Sequence, residues 1–174
     1  MPILDANAFE FFSRSPEQTR RLGMRLGTLL QTGDALCLSG DLGSGKTTLV
    51  QGIARGWGSV DNVTSPTFVL VNEYRRPDGV RLHHLDAYRL QNAYEAEELD
   101  IQLMLEKGPL VIEWPERIDS SDGSLIPADR LWVSLRWMAD EQRVMLFSAR
   151  GRRYQAILAE FRKRAYGGLS VAGS

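Results

Sequence analysis

The sequence of 174 residues predicts one α/β domain in three layers, with helices packed on a mixed parallel and antiparallel sheet. Three observations predict it. A short apolar run, Ala35-Leu36-Cys37-Leu38, feeds a glycine-rich stretch that opens a helix pattern. Further strand and helix patterns then follow one another without a repeat or a domain linker. Two pairs of strand patterns, around 68–85 and 131–149, are joined by polar turns and read as antiparallel partners.

Phe9 to Ser13 is apolar enough for a first strand. Ser15-Pro16-Glu17-Gln18 then reads as a helix start, with Ser15 as N-cap, Pro16 at the first helical position and Gln18 closing a capping box. Leu22, Leu26, Leu29 and Leu30 recur at helical spacing, and Gly33 is the expected stop. The residues around Ser13 to Thr19 could alternatively cover a nucleotide base. Gly40 to Thr47 reads Gly-Asp-Leu-Gly-Ser-Gly-Lys-Thr, the spacing of a phosphate-binding loop between a strand and a helix. The fold class is therefore a three-layer P-loop NTPase-like domain. The helix after the loop should run to about Trp57, ended by Gly56 and Gly58. Phe68 to Tyr74 and Val80 to Leu85 should form a hairpin around Arg76-Pro77-Asp78-Gly79. Ala93 to Lys107 reads as one helix, acidic at its start and stopped by Gly108. Leu110-Val111-Ile112 is a buried strand ending in Glu113-Trp114-Pro115-Glu116. Alternation over Leu131 to Trp137 and a return over Arg143 to Ala149 give the last strands, and Gly151 to Ala165 a basic helix. Residues 1–166 should form the single domain and 167–174 a frayed tail.

Chemistry concentrates at the glycine-rich loop. Glycines let successive N–H groups turn inward, so Asp41, Leu42, Gly43, Ser44, Gly45, Lys46, Thr47 and Thr48 should line a phosphate nest at a helix N-terminus. Lys46, one of only three lysines, supplies a charge for the β- and γ-phosphates, and the Thr47 hydroxyl is placed to ligate Mg²⁺. Such a loop needs an acid at a neighbouring strand end. Asp86 and Glu113 are the candidates, and Glu113 follows the better buried run. Thr64-Ser65-Pro66-Thr67 carries three hydroxyls and could sense the γ-phosphate, or could be a plain loop entering a strand. Trp114 should turn away from Glu113 by strand alternation and plug the core. His83 and His84 should be structural, since neither has metal-ligand spacing to a second cluster. Arg150, Arg152 and Arg153 should be a solvated helix start, with an RNA or protein contact as the alternative.

Composition excludes other classes. A net charge of −1 gives no global field for nucleic acid, and Cys37, the single cysteine, permits no intrachain disulfide. Cys37 sits in an apolar strand as a small core residue. The first ten residues lack a basic and apolar leader pattern, and no run approaches membrane-spanning length, so a soluble cytoplasmic protein is expected. No Asn-Lys-x-Asp motif suggests a GTPase. The remaining classes are a partner-directed ATPase, a small-molecule kinase and a nucleotide-gated binding module. The arginines Arg75, Arg76, Arg81 and Arg89 are scattered rather than gathered in the lid a kinase uses.

The chain resembles the bacterial TsaE family, formerly the YjeE P-loop ATPases, over roughly Ser13 to Leu135. The resemblance rests on Gly40 to Thr48, Ser65-Pro66-Thr67-Phe68, His84-Leu85-Asp86-Ala87-Tyr88-Arg89-Leu90 and Ile112-Glu113-Trp114-Pro115-Glu116, in order. It implies an ATP- and Mg²⁺-dependent ATPase required to place the threonylcarbamoyl group on the adenosine beside the anticodon, in tRNAs reading codons that begin with A. It further implies that the protein acts on a TsaD–TsaB complex, that TsaC makes the donor, and that tRNA is met indirectly through that complex. By the same resemblance Lys46 is the phosphate residue, Asp86 an essential aspartate, and Glu113, with Thr47, a metal-linked residue. Trp114 is important for activity, and Thr64 to Thr67 is a switch loop. Ser44 replaces a frequent alanine and Asp100 a frequent glycine. The helix after Gly151 falls where the family varies.

Overall fold

The structure, a computed structural model, describes residues 6–63, 70–91, 93–119 and 125–167. Seven strands form one sheet: β1 (Ala8–Ser13), β2 (Ala35–Ser39), β3 (Val71–Arg75), β4 (Arg81–Asp86), β5 (Leu110–Glu113), β6 (Arg130–Ala139) and β7 (Gln142–Arg150). Their spatial order is β1-β7-β6-β2-β5-β4-β3. The central four, β6, β2, β5 and β4, run parallel, and β3, β7 and β1 are antiparallel flanks. The expected mixed sheet is present.

Alternation along the central strands divides the core. Leu36 and Leu38 of β2 and Val111 of β5 pack with α1 (Pro16–Gly27), α2 (Lys46–Trp57) and α5 (Arg152–Gly167). Ala35, Cys37, Leu110 and Ile112 point the other way, toward α3 (Ala93–Glu98) and α4 (Ile101–Lys107). A strand with apolar residues at every position is thus covered on both faces, as a parallel sheet requires.

Helix α1 starts as its residues dictate. Ser15 Oγ accepts from Gln18 N at 3.1 Å, and Pro16 occupies the first turn. It ends at Gly27 rather than Gly33. The Leu29 and Leu30 N–H groups bond three residues back, to Leu26 and Gly27, so the chain tightens off the helix two turns early. Gly33 instead takes a positive φ of 94° in the approach to β2. Gly56 does not stop α2 either; Gly58 does, with its N–H on the Ala54 and Arg55 carbonyls. Gly56 lies inside the helix because α1 passes too close for a side chain. A Cβ on Gly56 would stand 2.0 Å from the Met24 carbonyl oxygen, and one on Gly27 2.1 Å from that of Ile53. Gly52 and Gly23 meet the partner backbone in the same way, at 2.2 Å from the Arg20 oxygen and 2.6 Å from the Leu49 oxygen.

The helix expected over Ala93 to Lys107 is two. Asp100 breaks it, its carboxylate accepting from Leu103 N at 3.0 Å to cap α4. Short acidic side chains compete for backbone donors in this way. Strand β3 begins at Val71, and the Thr64 to Thr67 loop lies outside the described residues, as do residues 168–174. Strand β6 runs past Trp137 to Ala139, and Asp140, at φ 49°, turns the chain into β7. Of the three arginines around Gly151, Arg153 is not merely solvated: its guanidinium pairs with Asp34 at 2.8 Å and reaches the Leu29 carbonyl at 2.9 Å. The α5 residues Tyr154, Ile157, Leu158 and Phe161 are buried, so this helix completes the core.

Candidate functional site

The loop between β2 and α2 takes the backbone that its glycines permit. Gly43 and Gly45 adopt φ of 80° and 104°, a left-handed conformation open to glycine and costly for other residues. Gly45 is also the N-cap of α2 and brings no capping side chain, so the N–H groups of the first turn are left for an anion. Ser44 is buried beneath the loop, and Lys46 is only 6 % exposed. The Lys46 ammonium donates to the Gly40 carbonyl and, at 2.9 Å, to that of Asp41.

A cavity of about 740 Å³ opens over this loop, with Leu42, Gly43, Gly45, Lys46, Thr47 and Thr48 on one side. Asp86, Glu113 and Trp114 line the same space. The two acids come together because β4 and β5 are parallel neighbours whose ends align: Asp86 and Glu113 are register partners. Asp86 Oδ1 accepts from Tyr88 N at 3.2 Å, and its Oδ2 lies 3.3 Å from Arg89 Nε. Asp41 and Ser44 contribute backbone and support rather than cavity wall. Burial holds Lys46 below the ordinary lysine range; Glu113, then Glu116, Asp41 and Asp86, oppose that shift.

Trp114 departs from the expected alternation. At φ 57° and ψ 50° it leaves the extended conformation directly after Glu113, as the N-cap of a short 3₁₀ turn, Pro115–Arg117. Its side chain packs against the core on the Cys37 and Ile112 face, as expected, and lines the cavity as well. The Lys46 ammonium sits 4.5 Å from the ring centroid, and Tyr88 packs on the ring at 5.0 Å.

Three lining residues were not marked as site residues by the sequence: Tyr88, Arg89 and Arg143. The first two follow Asp86 directly, and that adjacency was the available signal. Arg143 carried none. It lies 100 positions from Gly43, yet its Nε donates to the Gly43 carbonyl at 3.2 Å, because the order β7-β6-β2 places it on the flank opposite the acids. Both histidines of β4 are buried, and burial holds His83 below the usual histidine range in spite of Glu73. His84 faces the site acid, with Nε2 3.2 Å from Glu113 Oε1. Cys37 is fully buried, and burial pushes its thiol up to about 12, which removes it as a nucleophile. Among the described residues no group of three or more His, Cys, Asp or Glu side chains gathers, and no helix is long and apolar enough to cross a membrane.

Comparison with known proteins supplies an independent line. The sequence model of the family described as threonylcarbamoyl adenosine biosynthesis protein TsaE matches residues 13–145. A tRNA threonylcarbamoyladenosine biosynthesis protein TsaE from Bacillus subtilis is 35 % identical over 148 residues, spanning 84 % of this chain and 89 % of that protein. Its counterpart from Treponema pallidum is 38 % identical over 132 residues, spanning 75 % and 93 %. Among solved structures, the crystal structure of Bacillus subtilis YdiB superposes with a TM-score of 0.72 at 29 % identity, covering 90 % of this chain and 95 % of that one.

Proposed function

Because this chain belongs to the TsaE family of threonylcarbamoyl adenosine biosynthesis proteins, we propose that it is a Mg²⁺-dependent ATPase acting on a TsaD–TsaB complex. Membership places it in the tRNA threonylcarbamoyladenosine pathway. The ATPase reading rests on one observation: a phosphate nest, a buried lysine and two register-matched carboxylates converge on one cavity.

The donor set suits Mg²⁺, a hard cation that takes one or two carboxylates beside phosphate oxygens. The Thr47 hydroxyl and the Glu113 carboxylate would hold it, with Asp86 alongside. When bound, the ion neutralises charge on the β- and γ-phosphates. The chain's own residues do the rest. The loop amides and the α2 N-terminus bind the phosphates, Lys46 moves from its loop carbonyls onto them, and Trp114 caps Lys46 against water. We place the γ-phosphate on the flank of β4 and β5 and the nucleoside toward Arg143.

Phosphate release measured with and without the purified TsaD–TsaB pair tests this reading, and strong stimulation by the pair is expected. A chain that binds no nucleotide overturns it. Tight ATP binding without release beside the pair would replace it with a nucleotide-gated binding module, and phosphoryl transfer to a metabolite with a kinase.

A further inference from the structure

Glu113 is 5 % exposed, and its Oε1 is sealed from solvent. A carboxylate oxygen so placed needs a partner, since an unpaired buried charge is costly. Among the described residues neither Glu113 Oε1 nor His84 Nε2 has an aligned hydrogen bond, yet the two atoms lie 3.2 Å apart. At that separation the two atoms are within hydrogen-bonding reach. On the far side of the ring, His84 Nδ1 is 3.0 Å from the Tyr74 hydroxyl. Tyr74 is 4 % and His84 1 % exposed. The three side chains cross three adjacent strands, from β3 at the sheet edge through β4 to the end of β5.

The order of donors along this chain follows from chemistry. Burial and the negative charge of Glu113 push the Tyr74 hydroxyl up to about 12, so it keeps its proton and can donate. With Tyr74 donating to Nδ1, a neutral imidazole carries its own proton on Nε2, the nitrogen that faces Glu113. Asp86, the neighbour of Glu113 in register, is held instead by Tyr88 N and Arg89. His83 points to Glu73 at 3.4 Å and takes no part.

We infer that His84, oriented by Tyr74, is a positioning residue for Glu113: it anchors one carboxylate oxygen within the sheet and leaves the other for the cavity. This rests on the reading of that cavity as an ATP–Mg²⁺ site. Partners that orient a metal-binding side chain set metal affinity, and their loss costs about 10- to 100-fold.

The test uses the full chain, with Mn²⁺ as a spectroscopic probe titrated by electron paramagnetic resonance in the presence of ATP. His84→Leu should weaken Mn²⁺ binding about 10-fold or more, while ATP affinity in EDTA stays unchanged. His84→Gln keeps an N–H donor and should recover most of the loss. Tyr74→Phe removes one oxygen, is expected to fold, and should show a smaller loss in the same direction. Equal Mn²⁺ affinity in wild type, His84→Leu and Tyr74→Phe overturns the inference. So does equal weakening with and without metal, or a glutamine variant no better than leucine. If His84→Leu fails to fold, Tyr74→Phe with wild-type Mn²⁺ affinity still overturns it. A wild-type chain that binds no ATP instead overturns the nucleotide reading itself.

Discussion

Trp114 holds a left-handed backbone that costs a residue with a side chain about 1–3 kcal/mol. That backbone holds the indole beside Lys46 at the edge of the core. A single cation–π contact at a partly exposed site is worth roughly 0.5–1 kcal/mol. Trp114→Ala should therefore lower ATP affinity by only about two- to fivefold, read by calorimetry, with the larger loss in phosphate release beside TsaD–TsaB. Lys46→Ala should behave differently and abolish nucleotide binding in the same calorimeter. An unchanged affinity would mean that the loop holds no phosphates. That Lys46, Thr47, Asp86 and Glu113 meet at one cavity was legible in the sequence, because a fixed spacing and two strand ends point to them. The reach of Trp114 into the cavity, besides its packing on the core, was not, because its backbone leaves the extended conformation directly after Glu113. His84 was read as structural because its neighbour across the sheet cannot be seen along the chain.

Among the elements, strands and helices were legible wherever apolar periodicity was long, and their ends were misread where a side chain or a neighbour intervened. Asp100 divides one expected helix into α3 and α4 by capping the second. Gly56 looks like a stop in sequence, yet it sits inside α2 under the Met24 carbonyl. The distinction depends on α1, which local sequence does not contain. Gly56→Ala should destabilise the protein by about 2 kcal/mol or more, because a backbone oxygen 2.0 Å from the new Cβ can yield only by moving the helix. A lowered urea midpoint at unchanged slope is the expected result. Only the position of β7 brings Arg143 to the glycine-rich loop.

In the whole molecule, the mixed sheet was predictable as a class, whereas the strand order was not, because pairing between distant strands leaves no local trace. The family match ends at residue 145, but α5 beyond it is no appendage. Tyr154 Oη accepts the Ala35 N–H at 2.7 Å, and Phe161 is fully buried against Phe9 and Phe147. Cys37 lies at the centre of this assembly, on β2, and reports on all of it. Its thiol should resist alkylation at pH 8 in the native state and react fully in denaturant. ATP should slow the residual reaction if it stabilises the fold by mass action. Rapid labelling without denaturant would contradict the packed sheet.

The interlocked backbones of α1 and α2 have a consequence for how the protein acquires its structure. Each helix is 12 residues long and carries two of the glycines at the crossing. Glycine costs a helix interior about 1 kcal/mol, and isolated helices of such length are marginal in water. Neither segment should hold its shape until the other lies against it. The amides of both should then exchange with deuterium in a single cooperative opening. The helix N-terminus proposed to receive the phosphates comes into being only when two distant stretches of chain have met.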